Sequence, residues 1–195
     1  MTSPLETNHH RKKQPELVRA MLLEAAAQIV TEQGTHHLTL DAVARKCSVS
    51  KGGLLHHFPN KQALLNGLFD ALLQKLDQHI DTQMAKDPHP YGRFTRAYLS
   101  MNSIIERSPP SQLLATLTLA MASNLPLRER WLTWFEGRLD KVDASEQDTT
   151  SWIIRFAADG LWLSDLTQTP QLNAQQRQAV IQQLIQLSLQ PIKAC

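Results

Sequence analysis

Apolar residues along the chain recur every third or fourth position, and hardly any β-branched run is available for a strand, so the pattern predicts an all-α fold. A first helix is expected from Pro15, whose fixed φ suits the first helical position. Leu17, Val18, Met21, Leu22, Ala25, Ile29 and Val30 form its stripe, and Gly34 is its stop. Two short helices follow. Thr39 is placed to cap "LDAVARKC", with Asp41 favourable in the first turn, and Ser50 to cap "KGGLLHHF", which Pro59 closes. Asn60 caps a fourth helix, in which Leu64, Leu65, Leu68, Phe69, Leu72, Leu73, Leu76 and Ile80 continue an apolar stripe like a connecting strut.

The prolines and polar residues of "AKDPHPYG", residues 85–92, mark a boundary. Beyond it the periodicity predicts five more helices, at about 93–107, 112–123, 126–140, 148–168 and 174–190. The expected organisation is a flexible basic arm over 1–14 and a three-helix domain over 15–60. A connecting helix and linker follow over 61–90, and a larger helical domain over 91–195.

Composition narrows this picture. With 42% hydrophobic residues the chain can bury a core, and 19% charged residues argue against wholesale disorder. No run approaches the roughly 18 apolar residues of a membrane span, and the basic N-terminus lacks an apolar signal segment. The two cysteines, Cys47 and Cys195, have no metal-like spacing, so a reduced, cytoplasmic protein without a membrane partner is expected. Residues 1–61 carry eight Lys and Arg against five acids, and six of the eight histidines. That excess permits a polyanion partner at one end without demanding one.

Two short capped helices separated by "SVS" fit a helix-turn-helix, whose second helix enters the DNA major groove by its N-terminal residues. Gly52 and Gly53 have two readings there: a tolerant helix start, or bare backbone that lets DNA approach closely. The stretch "LTLDAVARKCSVSKGGLLHHFPNKQALL", Leu38 to Leu65, resembles the TetR family of transcriptional regulators: a Thr-capped helix, an A-G-V-S turn, a K-G-x-L-Y recognition helix, H-F and a K-x-x-L helix in succession. With the preceding helix the resemblance covers about residues 15–70, while the remainder agrees in helix number and order. Ser48 stands where the family usually has Gly, so the turn must tolerate a side chain. Leu55 stands where many members carry a Tyr that touches phosphate, which makes His56 and His57 the candidates to replace it.

The resemblance implies a DNA-binding set of Thr39, Ser50, Lys51, Gly52, Gly53, Leu55, His56, His57 and Lys61. Thr39 and Lys61 would anchor phosphates, Lys51 would donate to guanine, and Leu55 would pack on a thymine methyl. Ala42, Val43, Leu54 and Phe58 would form the small core. Arg11, Lys12 and Lys13 are read as a solvated arm, or as contacts along the DNA backbone or in a minor groove.

The His pairs 9/10, 36/37 and 56/57 invite a metal reading, but adjacent helical residues diverge by about 100° and no acid or cysteine accompanies them. No catalytic motif occurs, and Asp159 and Asp165 are poorly spaced for paired acid-base work. Catalytic residues, a resident metal and a cofactor are therefore not expected. In the larger half, Tyr98, Met101, Trp131, Trp134, Phe135, Trp152 and Phe156 are read as ordinary core or as the lining of an apolar ligand pocket, which TetR-like proteins keep there. An acid facing it, such as Glu106 or Asp159, would favour a lipophilic cation.

The last two long helices carry apolar residues on more than one face, and the resemblance implies a homodimer built through them. The expectation is a dimeric repressor, released from a palindromic operator on double-stranded DNA by a small lipophilic effector, with an efflux gene as one conceivable target. The alternative is a helical protein-interaction module without specific DNA binding.

Overall fold

The computed structural model describes residues 4–105, 109–167 and 172–189. Among the described residues the chain is helical throughout, with nine α-helices and one short 3-10 turn and no strand. In order these are α1 (Pro4–Gln33), α2 (Leu40–Lys46), α3 (Lys51–His57), α4 (Lys61–Lys86), α5 (Arg93–Ile105), α6 (Pro109–Met121), α7 (Leu125–Leu139), the 3-10 turn Ala144–Gln147, α8 (Thr149–Thr167) and α9 (Ala174–Leu187).

Two compact units divide these elements: Met1–Ala71 with Thr116–Leu127, and Leu72–Ala115 with Arg128–Cys195. The division falls inside α4, whereas the pattern placed boundaries at residues 60 and 90. A reciprocal amide pair helps explain why 116–127 joins the first unit. Asn124 Nδ2 donates to Gln62 Oε1 at 3.0 Å, and Gln62 Nε2 donates back to Asn124 Oδ1 at 3.3 Å.

In the first unit the core of Leu22, Ala26, Val30, Leu38, Val43, Leu54, Phe58, Leu64 and Phe69 is buried. The expected caps are present, each side chain satisfying an orphan amide of its helix start: Thr39 Oγ1 accepts from Ala42 N, Ser50 Oγ from Gly53 N, and Asn60 Oδ1 from Ala63 N. Two expectations fail in α1. The helix begins at Pro4 rather than Pro15, because Pro4 meets the same first-position requirement. The backbone of 4–14 is accordingly helical rather than an arm, and the side chains of Arg11, Lys12 and Lys13 lie outside the described residues. Leu17 and Met21 are exposed, so the buried stripe is narrower and starts at Leu22.

The second unit is organised around α5 and α8. Glu146, buried in the 3-10 turn, accepts from the Phe94 and Thr95 amides at 2.7 and 3.1 Å and from the Thr95 hydroxyl at 2.8 Å. Its carboxylate thus caps α5 where the helix dipole favours negative charge. Gly92 has φ +69, and a Cβ there would lie 2.3 Å from the Ser188 carbonyl, so only glycine fits this approach to the end of α9. Arg96 secures the same junction, pairing with Asp87 at 2.6 Å and donating to the Ser188 carbonyl at 3.0 Å.

Candidate functional site

In the first unit, α2 and α3 stand either side of a turn that closes only because Ser48 takes φ +54. This is the left-handed region glycine prefers, and a Ser side chain carries some strain there. The turn lets Leu54 and Phe58 bury inward while Lys51, Gly52, Gly53, Leu55 and His56 remain exposed on α3. Of the residues expected in the small core, Val43, Leu54 and Phe58 are buried and Ala42 partly so, while those the resemblance assigned to DNA on α3 are exposed apart from the half-buried His57.

The two glycines differ. A Cβ on Gly52 would meet nothing within 4 Å, so the fold makes no steric demand for glycine there. A Cβ on Gly53 would lie 3.3 Å from Ser50 Oγ, the capping hydroxyl itself. Leu55 is 38% exposed, too apolar to stand in for a phosphate-binding Tyr. His56 and His57 lie edge to face, 5.5 Å between centroids. His57 is only partly exposed, which leaves His56 as the freer donor.

The basic side chains are already engaged. Lys51 Nζ pairs with Asp41 Oδ1 at 3.0 Å, so a guanine contact would have to displace that carboxylate. Lys61 Nζ donates to the Thr35 carbonyl at 3.0 Å, tying the turn after α1 to the start of α4 and leaving two of its three donors for a phosphate. Thr39 Oγ1 is likewise used as a cap. Among the described residues no group of His, Cys, Asp and Glu could hold a metal.

In the second unit the aromatic residues join into a chain of rings. Trp131 and Trp134 lie 4.8 Å apart. Phe135 reaches Tyr98 at 5.8 Å and Trp152 at 6.0 Å, and Trp152 reaches Phe156 at 5.6 Å. Tyr98 and Met101 are buried, and Trp131, Trp134, Phe135 and Trp152 partly so. Phe156 departs from the expected pocket lining: it is 64% exposed, because it follows Arg155 on α8 and so points to a different face.

Polar groups adjoin these rings, and of them Asp159 is open to solvent on one side. Tyr98 Oη donates to Asp159 Oδ1 at 2.7 Å. Burial, then the carboxylate charge and hydrogen bond of Asp159, raise the Tyr98 hydroxyl far above its usual range. Burial also lifts Asp159, against the Tyr98 bond and Arg155. Asp159 does sit beside the aromatic residues, whereas Glu106 lies outside the described residues.

The periodicity missed Arg155, 1% exposed, whose guanidinium lies 4.5 Å from the centre of the Trp152 ring and 5.9 Å from that of Phe94. Its signal was present, since a lone Arg inside the apolar run "WIIRFAADGLW" calls for a buried polar partner. No helix among the described residues is long and apolar enough to cross a membrane.

Comparison with known proteins agrees with both halves. Residues 22–68 match the family "Bacterial regulatory proteins, tetR family", and residues 92–189 match "Tetracyclin repressor-like, C-terminal domain". The regulator UidR of Escherichia coli (strain K12) is 36% identical over 61 residues, covering 31% of this chain and 30% of its own. The chain thus matches less than a third of that relative's length. BetI of Serratia proteamaculans is 25% identical over 159 residues, covering 82% of this chain and 59% of its own. A solved TetR-family member from Streptomyces coelicolor superposes with a TM-score of 0.68 at 20% identity, over 87% of this chain and 97% of that one. The multidrug binding protein EbrR complexed with malachite green gives 0.67 at 19% identity, again over 87% and 97%. At such identities the superpositions speak for the fold.

Proposed function

The chain belongs to the TetR family of bacterial regulatory proteins, and we propose that it is a DNA-binding transcriptional regulator: a homodimeric repressor released from a palindromic operator by a small lipophilic effector. The observation that carries the DNA half is the division of α3, with Leu54 buried while Lys51, Gly52, Gly53 and Leu55 face solvent behind the Ser50 cap. Lys51 is the proposed base reader, and Thr39, Lys61 and His56 or His57 are the proposed phosphate contacts.

Two further features support the rest of the reading. Ile153, Phe156 and Leu163 on α8 and Val180 and Leu187 on α9 are exposed apolar side chains, suited to pairing these helices with a second copy. The partly buried rings of the second unit suit an apolar ligand. Because α4 belongs to both units, an effector that shifts its second half would alter the placement of the reading heads. Each tenfold change in operator affinity requires about 1.4 kcal/mol of coupling.

The test begins with operator selection from random duplexes, followed by binding at rising salt. Affinity should fall steeply as phosphate contacts are lost to counterions. Lys61→Ala should weaken all duplexes alike, and Lys51→Ala should relax preference at one base position. Binding untouched by both changes would overturn the reading-head assignment, and selection of no duplex at all would favour the protein-interaction module.

A further inference from the structure

Arg155 is among the largest fully buried side chains of the protein, yet only half of its guanidinium is used. Nη1 donates to Thr95 Oγ1 and to the Glu146 carbonyl, each at 2.8 Å. Nε and Nη2, equally buried, have no acceptor among the described residues. The Nε–H and one N–H of Nη2 form the parallel edge of the guanidinium that matches both oxygens of a carboxylate.

The acids nearby do not fill that edge. The Glu146 carboxylate accepts from the start of α5, Asp159 accepts from Tyr98, and Asp148 accepts from Tyr91 and Ser151. Both acceptors Arg155 does have are uncharged oxygens. A buried cation with two open donors is costly to keep, and native proteins keep such groups where something else completes them. What surrounds it is aromatic: Trp152 and Phe94 face the guanidinium, and Phe135 links both to Tyr98.

We propose that Arg155 is the polar anchor of the effector site and that the effector is an aromatic carboxylic acid, its carboxylate on Nε and Nη2 and its ring among Trp152, Phe135 and Phe94. This rests on the effector reading above and narrows it to an anion. It also runs against the lipophilic cation that Asp159 suggested. Arg155 already occupies the Trp152 face a ligand cation would seek. Trp152 is partly exposed, so the anchor lies one ring beneath the surface.

Three probes of one shape test the proposal: naphthoate, naphthamide and naphthylmethylammonium, titrated into the full chain by tryptophan fluorescence and calorimetry. Naphthoate should bind at least about tenfold more tightly than naphthamide, with the ammonium weakest. Arg155→Lys keeps the charge but loses the fork, and should cut the naphthoate preference to about threefold or less. Its fold is checked by circular dichroism, and the comparison on the unmodified chain stands independently of that variant.

Equal binding of naphthoate and naphthamide, as expected if water alone completes Arg155, would overturn the proposal while leaving an effector site. Tighter binding of the ammonium would do the same. An unchanged preference in a folded Arg155→Lys would remove the role given to the fork. Binding by none of the three would overturn both this proposal and the effector reading. Operator binding without ligand, measured in parallel, reports on the DNA half separately.

Discussion

The Tyr98 hydroxyl on α5 donates to Oδ1 of Asp159 on α8 at 2.7 Å, a bond in which the expected aromatic lining meets an expected acid. Tyr98→Phe should cost about 1 kcal/mol. It should also raise the Asp159 pKa further, since that bond lowers it. Burial already holds the folded value above the ordinary 3.8, so the folded chain keeps this proton to higher pH than the unfolded one. Stability should therefore fall as pH rises from about 3.8 through the folded value. Urea midpoints across that range should show the fall extending to higher pH in Tyr98→Phe and absent in Asp159→Asn.

Ser48 holds a left-handed φ of +54 without being glycine. Ser48→Gly should stabilise the first unit by roughly 0.5–1 kcal/mol as the Cβ strain is relieved against the extra entropy of an unfolded glycine. Ser48→Val should destabilise by more than about 1 kcal/mol. Chemical denaturation of the three proteins compares them directly.

Gly52 separates folding from function. With nothing but its chain neighbours and its own helix backbone within 4 Å of the place a methyl group would take, Gly52→Ala should leave stability unchanged or raise it by up to about 1 kcal/mol. If the bare backbone faces DNA, the same change should weaken operator binding by about tenfold or more. Thermal melting and operator titration on one preparation read both outcomes.

His79 Nε2 lies 2.9 Å from Ser100 Oγ. Burial, then the Lys86 charge, hold its pKa below the ordinary 6.5. Above 6.5 both states are neutral. As pH falls past it, the unfolded chain takes up the proton first, so stability should drop until the folded pKa is reached. His79→Gln should flatten that part of the stability profile measured by urea denaturation.

Much of the reading head was legible because its determinants are local. Thr39, Ser50 and Asn60 each act on an amide three residues ahead, so their capping follows from spacing alone. The start of α1 was not legible in the same way, since Pro4 and Pro15 satisfy one local rule equally. The aromatic site was half legible. Residue types and helical spacing named its rings, but Phe156 turns outward, and the role of Arg155 emerges only with Thr95 and Glu146 beside it.

The sequence by itself determined the helical class, the caps of the short helices and, through the family its motif resembles, the side of α3 that faces outward, because each depends on residues within a few positions of one another. Only the tertiary structure decided that Lys51 meets Asp41, that Gln62 and Asn124 draw 116–127 into the first unit, and that Arg155 keeps an open fork under Trp152. Those relations join distant parts of the chain. Hydrogen-bond partners and burial arise only when helices pack, and no periodicity records which helix will be opposite.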